Sequence, residues 1–253
     1  MEDKVLEFWN SRAGLGFKAG TNDVNLKKLE MSIISKYVKD GMKVLDIGGG
    51  NGVTAFHLAE NFGIEIDCFD FADEMIAEAK KNYVLTKNNK NNLNFYVDDV
   101  TKLHNTKGDY DLIYTERVLI NLDSWQVQSM AIDNILKLLR PKGLFLMCEN
   151  VQDGLNNLNE LRSAIGLEPI TRPWHNRYFL EKELLEYKPH NAILENVECF
   201  TSTYYFISRV INAWQSINIG EQPSYEAPVN SLAFKLPIIG DFGQTKLWVW
   251  RKQ

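Results

Sequence analysis

Val44-Leu45-Asp46-Ile47-Gly48-Gly49-Gly50-Asn51-Gly52 is the stretch on which the fold turns. The apolar run Lys43–Ile47 reads as a short buried strand, and the helical pattern of Val53, Phe56, His57, Leu58 and Ala59 follows it. Between them, four glycines fall in five positions. Glycine removes the Cβ and permits positive φ, so a ligand can rest directly on main-chain amides near the helix N-terminus. Eighteen residues beyond Gly52, Asp70 closes a second apolar run that starts at Ile64. A carboxylate there can accept hydrogen bonds from two ribose hydroxyls, so loop and acid together point to a nucleoside cofactor. Gly50, Gly52 and Ala55 also spell G-x-G-x-x-A, which leaves a nicotinamide dinucleotide open at this point.

Outward from the loop the strand–helix alternation continues. A helix is expected from about Asp73 to Asn82, and strands at Leu93–Val97, Tyr110–Thr115 and Leu144–Cys148. Asp123-Ser124 opens a helix with Val127, Met130, Ile135 and Leu138 on its apolar face, stopped by Pro141 and Gly143. The tract Lys87–Asn92 reads as a polar surface turn. Upstream, the first forty or so residues read as helical, with Asn22 or Asp23 as a cap and Leu26, Leu29, Ile33, Tyr37 and Val38 as a stripe. Strands and helices alternating at this spacing give right-handed crossovers and a parallel sheet covered on both faces. After Glu149 the rhythm breaks into a polar and aromatic insert over Asn150–Lys188. Two β-rich runs follow, Ile193–Phe206 and Thr245–Arg251, around a segment holding Pro223, Pro228 and Pro237. The chain is read as one domain over 1–253, with an N-terminal helical lid over about 1–40 and pocket-building insertions at about 150–190 and 206–244.

Asp46, two residues before Gly48, and Asp98-Asp99-Val100 after the third strand tip the cofactor toward one whose adenine amino group meets an acid. With these residues the chain resembles the class I S-adenosylmethionine-dependent methyltransferases, whose glycine motif reads acid-x-Gly-x-Gly-x-Gly, here Asp46, Gly48, Gly50 and Gly52. The resemblance runs from Lys43 to Glu149 through Asp70-Phe71-Ala72-Asp73-Glu74-Met75, Asp99, Tyr110-Asp111-Leu112-Ile113 and Leu139-Arg140-Pro141-Lys142-Gly143. It implies an α/β fold: a Rossmann-like, seven-stranded, mostly parallel sheet with an antiparallel C-terminal strand, which Lys246–Trp250 suits, and helices on both faces.

The resemblance also implies S-adenosylmethionine as cofactor, with S-adenosylhomocysteine as product. Gly48, Gly49, Gly50 and Gly52 would flank its methionine and ribose portions beside Asp46, and Asp70 would hold the ribose hydroxyls. Asp99 and the Val100 amide would read the adenine, Glu116 would face the methionine end, and Phe71 and Met75 belong to the same site. Plainer roles stand beside these: Asp46 ordering its turn, Asp98 solvated, Glu116 paired with Arg117. A narrower similarity, to bacterial methyltransferases associated with surface-polysaccharide sugars, rests on Trp9–Gly16, Gly20–Asp23, Arg117–Leu122 and Trp174–Asn176.

An alcohol acceptor needs a base to take its proton, and of the four histidines His175 is the candidate, because its insert follows the fifth strand where ligands bind. Trp174, Asn176, Arg177, Tyr204 and Tyr205 are the candidate substrate contacts, with Tyr178, Arg209 and Tyr225 in the same additions, rings for sugar faces and polar groups for hydroxyls. Arg172 and Arg177 would also suit a phosphate or carboxylate. No resident metal is expected, although Glu116 with Glu149-Asn150 would suit an oxygen-ligated Mg²⁺ as a rival arrangement.

With 45% hydrophobic and 24% charged residues the composition excludes wholesale disorder and a disulfide scaffold. Cys68, Cys148 and Cys199 stand alone in apolar runs and are read as reduced core residues. A net charge of −5 gives no attraction toward phosphate backbones, so no nucleic-acid partner is expected. No run nears the roughly 18 apolar residues of a membrane span, and Met1-Glu2-Asp3-Lys4 is unlike a signal peptide, so a cytoplasmic location is expected. The expected activity is methyl transfer to a hydroxyl of a small molecule, a sugar or sugar-derived intermediate, nucleotide-linked or phosphorylated. The rivals are N-methylation of a small amine, an NAD-dependent oxidoreductase, and a nucleoside-binding module without catalysis.

Overall fold

The apolar run before the glycines forms β1 (Lys43–Ile47), in the middle of a seven-stranded sheet. The computed structural model describes residues 2–85 and 92–253. On one side β1 pairs in parallel with β2 (Glu65–Asp70), which carries β3 (Leu93–Val97). On the other it pairs in parallel with β4 (Tyr110–Glu116), which carries β5 (Leu139–Asn150). β7 (Thr245–Lys252) runs antiparallel to β5, and β6 (Ala192–Glu198) antiparallel to β7, for the order β3-β2-β1-β4-β5-β7-β6. This is the mostly parallel, Rossmann-like sheet with an antiparallel C-terminal strand that the sequence led us to expect.

The central strands β1 and β4 are buried along nearly their whole length because helices cover both faces. Leu45, Ile47, Ile113 and Phe145 share one cluster with Ile132 and Ile135 of α5 (Trp125–Leu138). Val44, Leu112, Tyr114 and Leu146 point the other way, toward Ile33 and Ile34 of α2 (Val24–Ser35) and Ala55 and Leu58 of α3 (Val53–Asn61). α4 (Asp73–Leu85) packs on β2 and β3 with α1 (Glu2–Asn10) against it, and α6 (Gln152–Ala164) and α7 (Glu181–Glu186) lie in the insert after β5. Sheet order reverses between β1 and β4, so a crevice opens beyond the carboxyl ends of these strands, where ligands bind in open α/β sheets.

Three local expectations are corrected. α5 buries Gln128, Ala131, Ile132, Ile135 and Leu136, while Met130 is 48% exposed. The face is displaced because Gln128 satisfies itself, donating to the carbonyls of Leu119 and Arg177 at 3.0 and 2.9 Å. β5 begins at Leu139 and runs through Pro141, so the proline does not separate helix from strand. The run Ile193–Phe206 is a strand only as far as Glu198: α8 (Ser202–Tyr205), a π-helical turn (Phe206–Ile211) and α9 (Asn212–Asn218) follow β6. Aromatic and β-branched residues suggested β structure there, but tertiary anchoring prevails. Thr201, Ser202 and Thr203 donate to the carbonyls of Thr245, Ile239 and Pro237.

Cys68 and Cys148 are buried, as expected, whereas Cys199 is only half-buried. Apart from Asn92, the expected turn at 87–92 lies outside the described residues. No helix among the described residues is long and apolar enough to cross a membrane.

Candidate active site

The glycine loop after β1 is tied to β2 by its own amides. Gly49 N donates to Phe69 O at 3.0 Å and Gly50 N to Asp70 Oδ2 at 2.9 Å. Gly52 caps α3 at φ +84°, a conformation that side chains disfavour. Above the loop lies a cavity of about 870 Å³, lined by Gly48, Gly49, Gly50, Asp70, Phe71 and Met75. Asp99, Val100 and Glu116 complete its wall, and Leu6 and Trp9 of α1 close it. Of the expected cofactor residues, Asp46 and Gly52 stand outside the lining.

Asp46 is buried beneath Gly49, where a Cβ built on the glycine would come 2.5 Å from Asp46 Oδ2 and collide with Cys68 Sγ. Gly49→Ala should therefore cost about 1–3 kcal/mol through overpacking and lift the loop into the cavity. A melting temperature and S-adenosylhomocysteine affinity equal to wild type would contradict this packing.

The other acids divide by what holds them. Asp70 accepts from Gly50 N and, through Oδ1, from Ala72 N at 2.9 Å, leaving lone pairs on both oxygens toward the cavity. Asp98 is not solvated but buried, accepting from the amides of Asp99, His104 and Asn105 and from Thr106 Oγ1. Asp99 Oδ1 takes Thr101 N and Oγ1 while Oδ2 takes Lys102 Nζ at 2.8 Å, and these contacts outweigh partial burial to hold its carboxyl below the usual range. Glu116 does not pair with Arg117: its Oε2 accepts from Lys27 Nζ and Thr54 Oγ1, both at 2.7 Å. Its Oε1 is buried at the cavity wall with no partner among the described residues. Glu149 is fully buried and turned onto the amides of Val118, Leu119 and Ile120 at 3.0–3.3 Å, away from Glu116, so the rival two-acid metal arrangement is not formed.

Burial pushes the carboxyls of Asp46 and Glu149 up to about 7 and that of Asp70 up to about 6. Each lies above its unfolded value, so from about pH 4 to 7 the native state binds more protons than the unfolded chain. Their stabilisation is complete at the acid end and is lost as pH rises through the folded values. Melting temperature should accordingly fall between about pH 4 and 7, less steeply in Asp46→Asn. A rise over that window would refute the assignment.

A second cavity, of about 350 Å³, shares Trp9, Gly20 and Arg117 with the first. His175, Asn176 and Tyr205 line it. The His175 ring packs against Phe8, Trp174 and Trp9 at centroid distances of 4.7, 5.1 and 5.8 Å. Burial, with the charge of Arg12 added, holds its imidazolium below the usual range, so the ring is neutral at pH 7. Its Nδ1 and Asn176 Oδ1 are buried without partners among the described residues.

The remaining expected contacts are placed elsewhere. Arg177 is turned away into an ion pair with Glu183, with Nη1 also donating to Gln128 Oε1 at 2.6 Å. Trp174 is 62% exposed and outside both linings. Tyr204, on a helix rather than a strand, spends its hydroxyl on Asp23. Arg172 is exposed.

Sequence reasoning did not foresee how the charged side chains that frame the junction of the two cavities pair. Asp23, besides capping α2 through Leu26 N, pairs with Arg209, which lies in the π-helical turn against the rings of Tyr205 and Tyr225 at 4.9 and 4.3 Å. Arg117 holds φ +59°, costly for a non-glycine residue, and its guanidinium is gripped by Glu30 of α2 and by Gly20 O at 3.0 Å. Only the left-handed kink directly after β4 had a local address, and nothing in the local pattern marked it.

A family of proteins described as a methyltransferase domain matches residues 38–178. The chain is 26% identical over 168 residues to ribosomal protein L11 methyltransferase of Dictyoglomus turgidum, covering 65% of this chain and 50% of that protein. It is 30% identical over 112 residues to phosphoethanolamine N-methyltransferase 3 of Arabidopsis thaliana, covering 44% of this chain and 22% of that one. The chain thus spans half or less of these relatives. Magnesium protoporphyrin IX methyltransferase of Synechocystis PCC 6803, solved with bound S-adenosylhomocysteine, superposes at a TM-score of 0.62 over 100% of both chains with 15% identity, a likeness of fold alone.

Proposed function

Because this chain belongs to the class I S-adenosylmethionine-dependent methyltransferase domain family, we propose that it moves the methyl group of S-adenosylmethionine to a hydroxyl of a small molecule, a sugar or sugar-derived intermediate of surface-polysaccharide biosynthesis. The observation that carries this reading is the meeting of two cavities at Trp9, Gly20 and Arg117, one with a glycine cradle and acids, the other polar and aromatic. The nicotinamide alternative loses its support, since the loop belongs to this family.

The residues present fit the cofactor: the cavity has room, and Glu116 Oε1 is an orphaned buried acceptor at its wall. In this reading Asp70 holds the ribose hydroxyls, Asp99 and the Val100 amide read the adenine, Glu116 receives the methionine ammonium, and Phe71 and Met75 pack alongside. When bound, S-adenosylmethionine supplies an already activated methyl on a sulfonium. The chain's work is therefore alignment, exclusion of water by α1, and removal of the acceptor proton. His175, neutral and with an unpartnered ring nitrogen in the second cavity, is the base.

The test is incubation with methyl-labelled cofactor and a panel of sugars and nucleotide-linked sugars, with mass analysis for a gain of one methylene. His175→Ala should lower kcat on the order of 10²-fold, the lower end for general bases because the methyl is pre-activated, with S-adenosylhomocysteine affinity unchanged. An unprotonated amine needs no base, so full turnover in His175→Ala with label on nitrogen would select N-methylation instead.

A further inference from the structure

We infer that the acceptor carries an anionic group, a carboxylate or a phosphate, seated in the second cavity against the guanidinium of Arg12; this rests on the methyltransferase reading of the site. Three arginines, Arg12, Arg117 and Arg209, line this cavity against one acidic residue, Asp23. Arg209 is matched by Asp23, and Arg117 by Glu30 behind it. Arg12 is matched by no acid among the described residues. Its Nε donates to Ala19 O at 2.6 Å, and its Nη2 to Lys18 O at 2.7 Å and Asn22 Oδ1 at 3.4 Å, all neutral acceptors. One positive charge therefore faces the cavity uncompensated.

The geometry of Arg12 is that of a prepared anion site. The carbonyls of Lys18 and Ala19 fix the fork in place, and the Phe8 ring lies 5.7 Å from its centre, so little freedom remains to be lost on binding. Nη1 makes no bond to another described residue and is free to donate to a second oxygen, the arrangement that suits carboxylate and phosphate. An acceptor filling the cavity strips water from Arg12, a loss that an anion offsets and a neutral ligand does not. The charge also reaches His175, whose ring it helps keep neutral. An anion beside Arg12 reverses that influence, making His175 a stronger base only when the acceptor is in place. Arg172 and Arg177, the sequence candidates for such a group, lie outside this cavity.

The test uses S-adenosylhomocysteine-saturated wild-type protein, with the His175 ring titrated by NMR in inorganic phosphate, in acetate and in sodium chloride of matched ionic strength. Phosphate or acetate should raise the His175 pKa saturably by about half a unit or more over chloride. Arg12→Gln should abolish the response and Arg12→Lys retain part of it. A larger effect of phosphate assigns a phosphorylated acceptor, and a larger effect of acetate a carboxylated one. No rise above the chloride control in wild type, or an undiminished rise in Arg12→Gln, overturns the inference. Saturation with S-adenosylhomocysteine is measured first by calorimetry, so loss of the methyltransferase reading is seen separately from loss of the anion site.

Discussion

Glu30→Ala should destabilise the protein by about 3–5 kcal/mol, because it leaves the Arg117 guanidinium buried with only a neutral acceptor, Gly20 O. Glu30 is fully buried and the Arg117 side chain 15% exposed, with Nε–Oε1 at 2.7 Å and Nη2–Oε2 at 3.1 Å. Burial nevertheless pushes the Glu30 carboxyl up despite its partner, so the pair costs much of what it returns. The double replacement Glu30→Leu with Arg117→Met should accordingly recover most of the lost stability, since an apolar pair of similar volume replaces the ions. Methyl transfer should not recover, because Arg117 stands at the wall of both cavities. Chemical denaturation of the three proteins decides this. A single variant within about 1 kcal/mol of wild type would mean that the pair holds nothing together.

Asp70→Ala should weaken S-adenosylhomocysteine binding by about 10²–10³-fold, equivalent to losing two charge-assisted hydrogen bonds. The carboxylate has two duties. It props the loop through Gly50 N and Ala72 N, and it offers its remaining lone pairs to the cavity. Asp70→Asn should be nearly as damaging, because an amide NH₂ must then face one of those two backbone donors. Calorimetry on variants of unchanged circular dichroism checks the prediction. Affinity within threefold of wild type in either variant would remove Asp70 from the ribose role.

The glycine cradle, the acid closing β2 and the free acceptor closing β4 were legible because each sits at the carboxyl end of a strand whose apolar run announces it. The second cavity was legible only in part. His175 and Asn176 were reachable through their place after β5, yet Arg177, equally polar and in the same loop, folds outward to Glu183 and Gln128. Tyr204 and Tyr205 were located as aromatic but assigned to a strand, and as helical neighbours they diverge, one toward Asp23 and the other into the cavity.

Sequence by itself determined the parallel strand–helix core and the glycine loop, since these follow from periodicity and from backbone freedom within a few residues. Tertiary structure alone decided which charges meet. Lys27 reaches Glu116 across 89 residues, Glu30 reaches Arg117 across 87, and Asp23 reaches Arg209 across 186. All three pairs spring from α2, whose sequence reads as an ordinary amphipathic helix. Pairing depends on where that helix is laid against the sheet, and a charge carries no local mark of its distant partner. Arg12, left over once those pairs are made, acquires its meaning only from their arrangement.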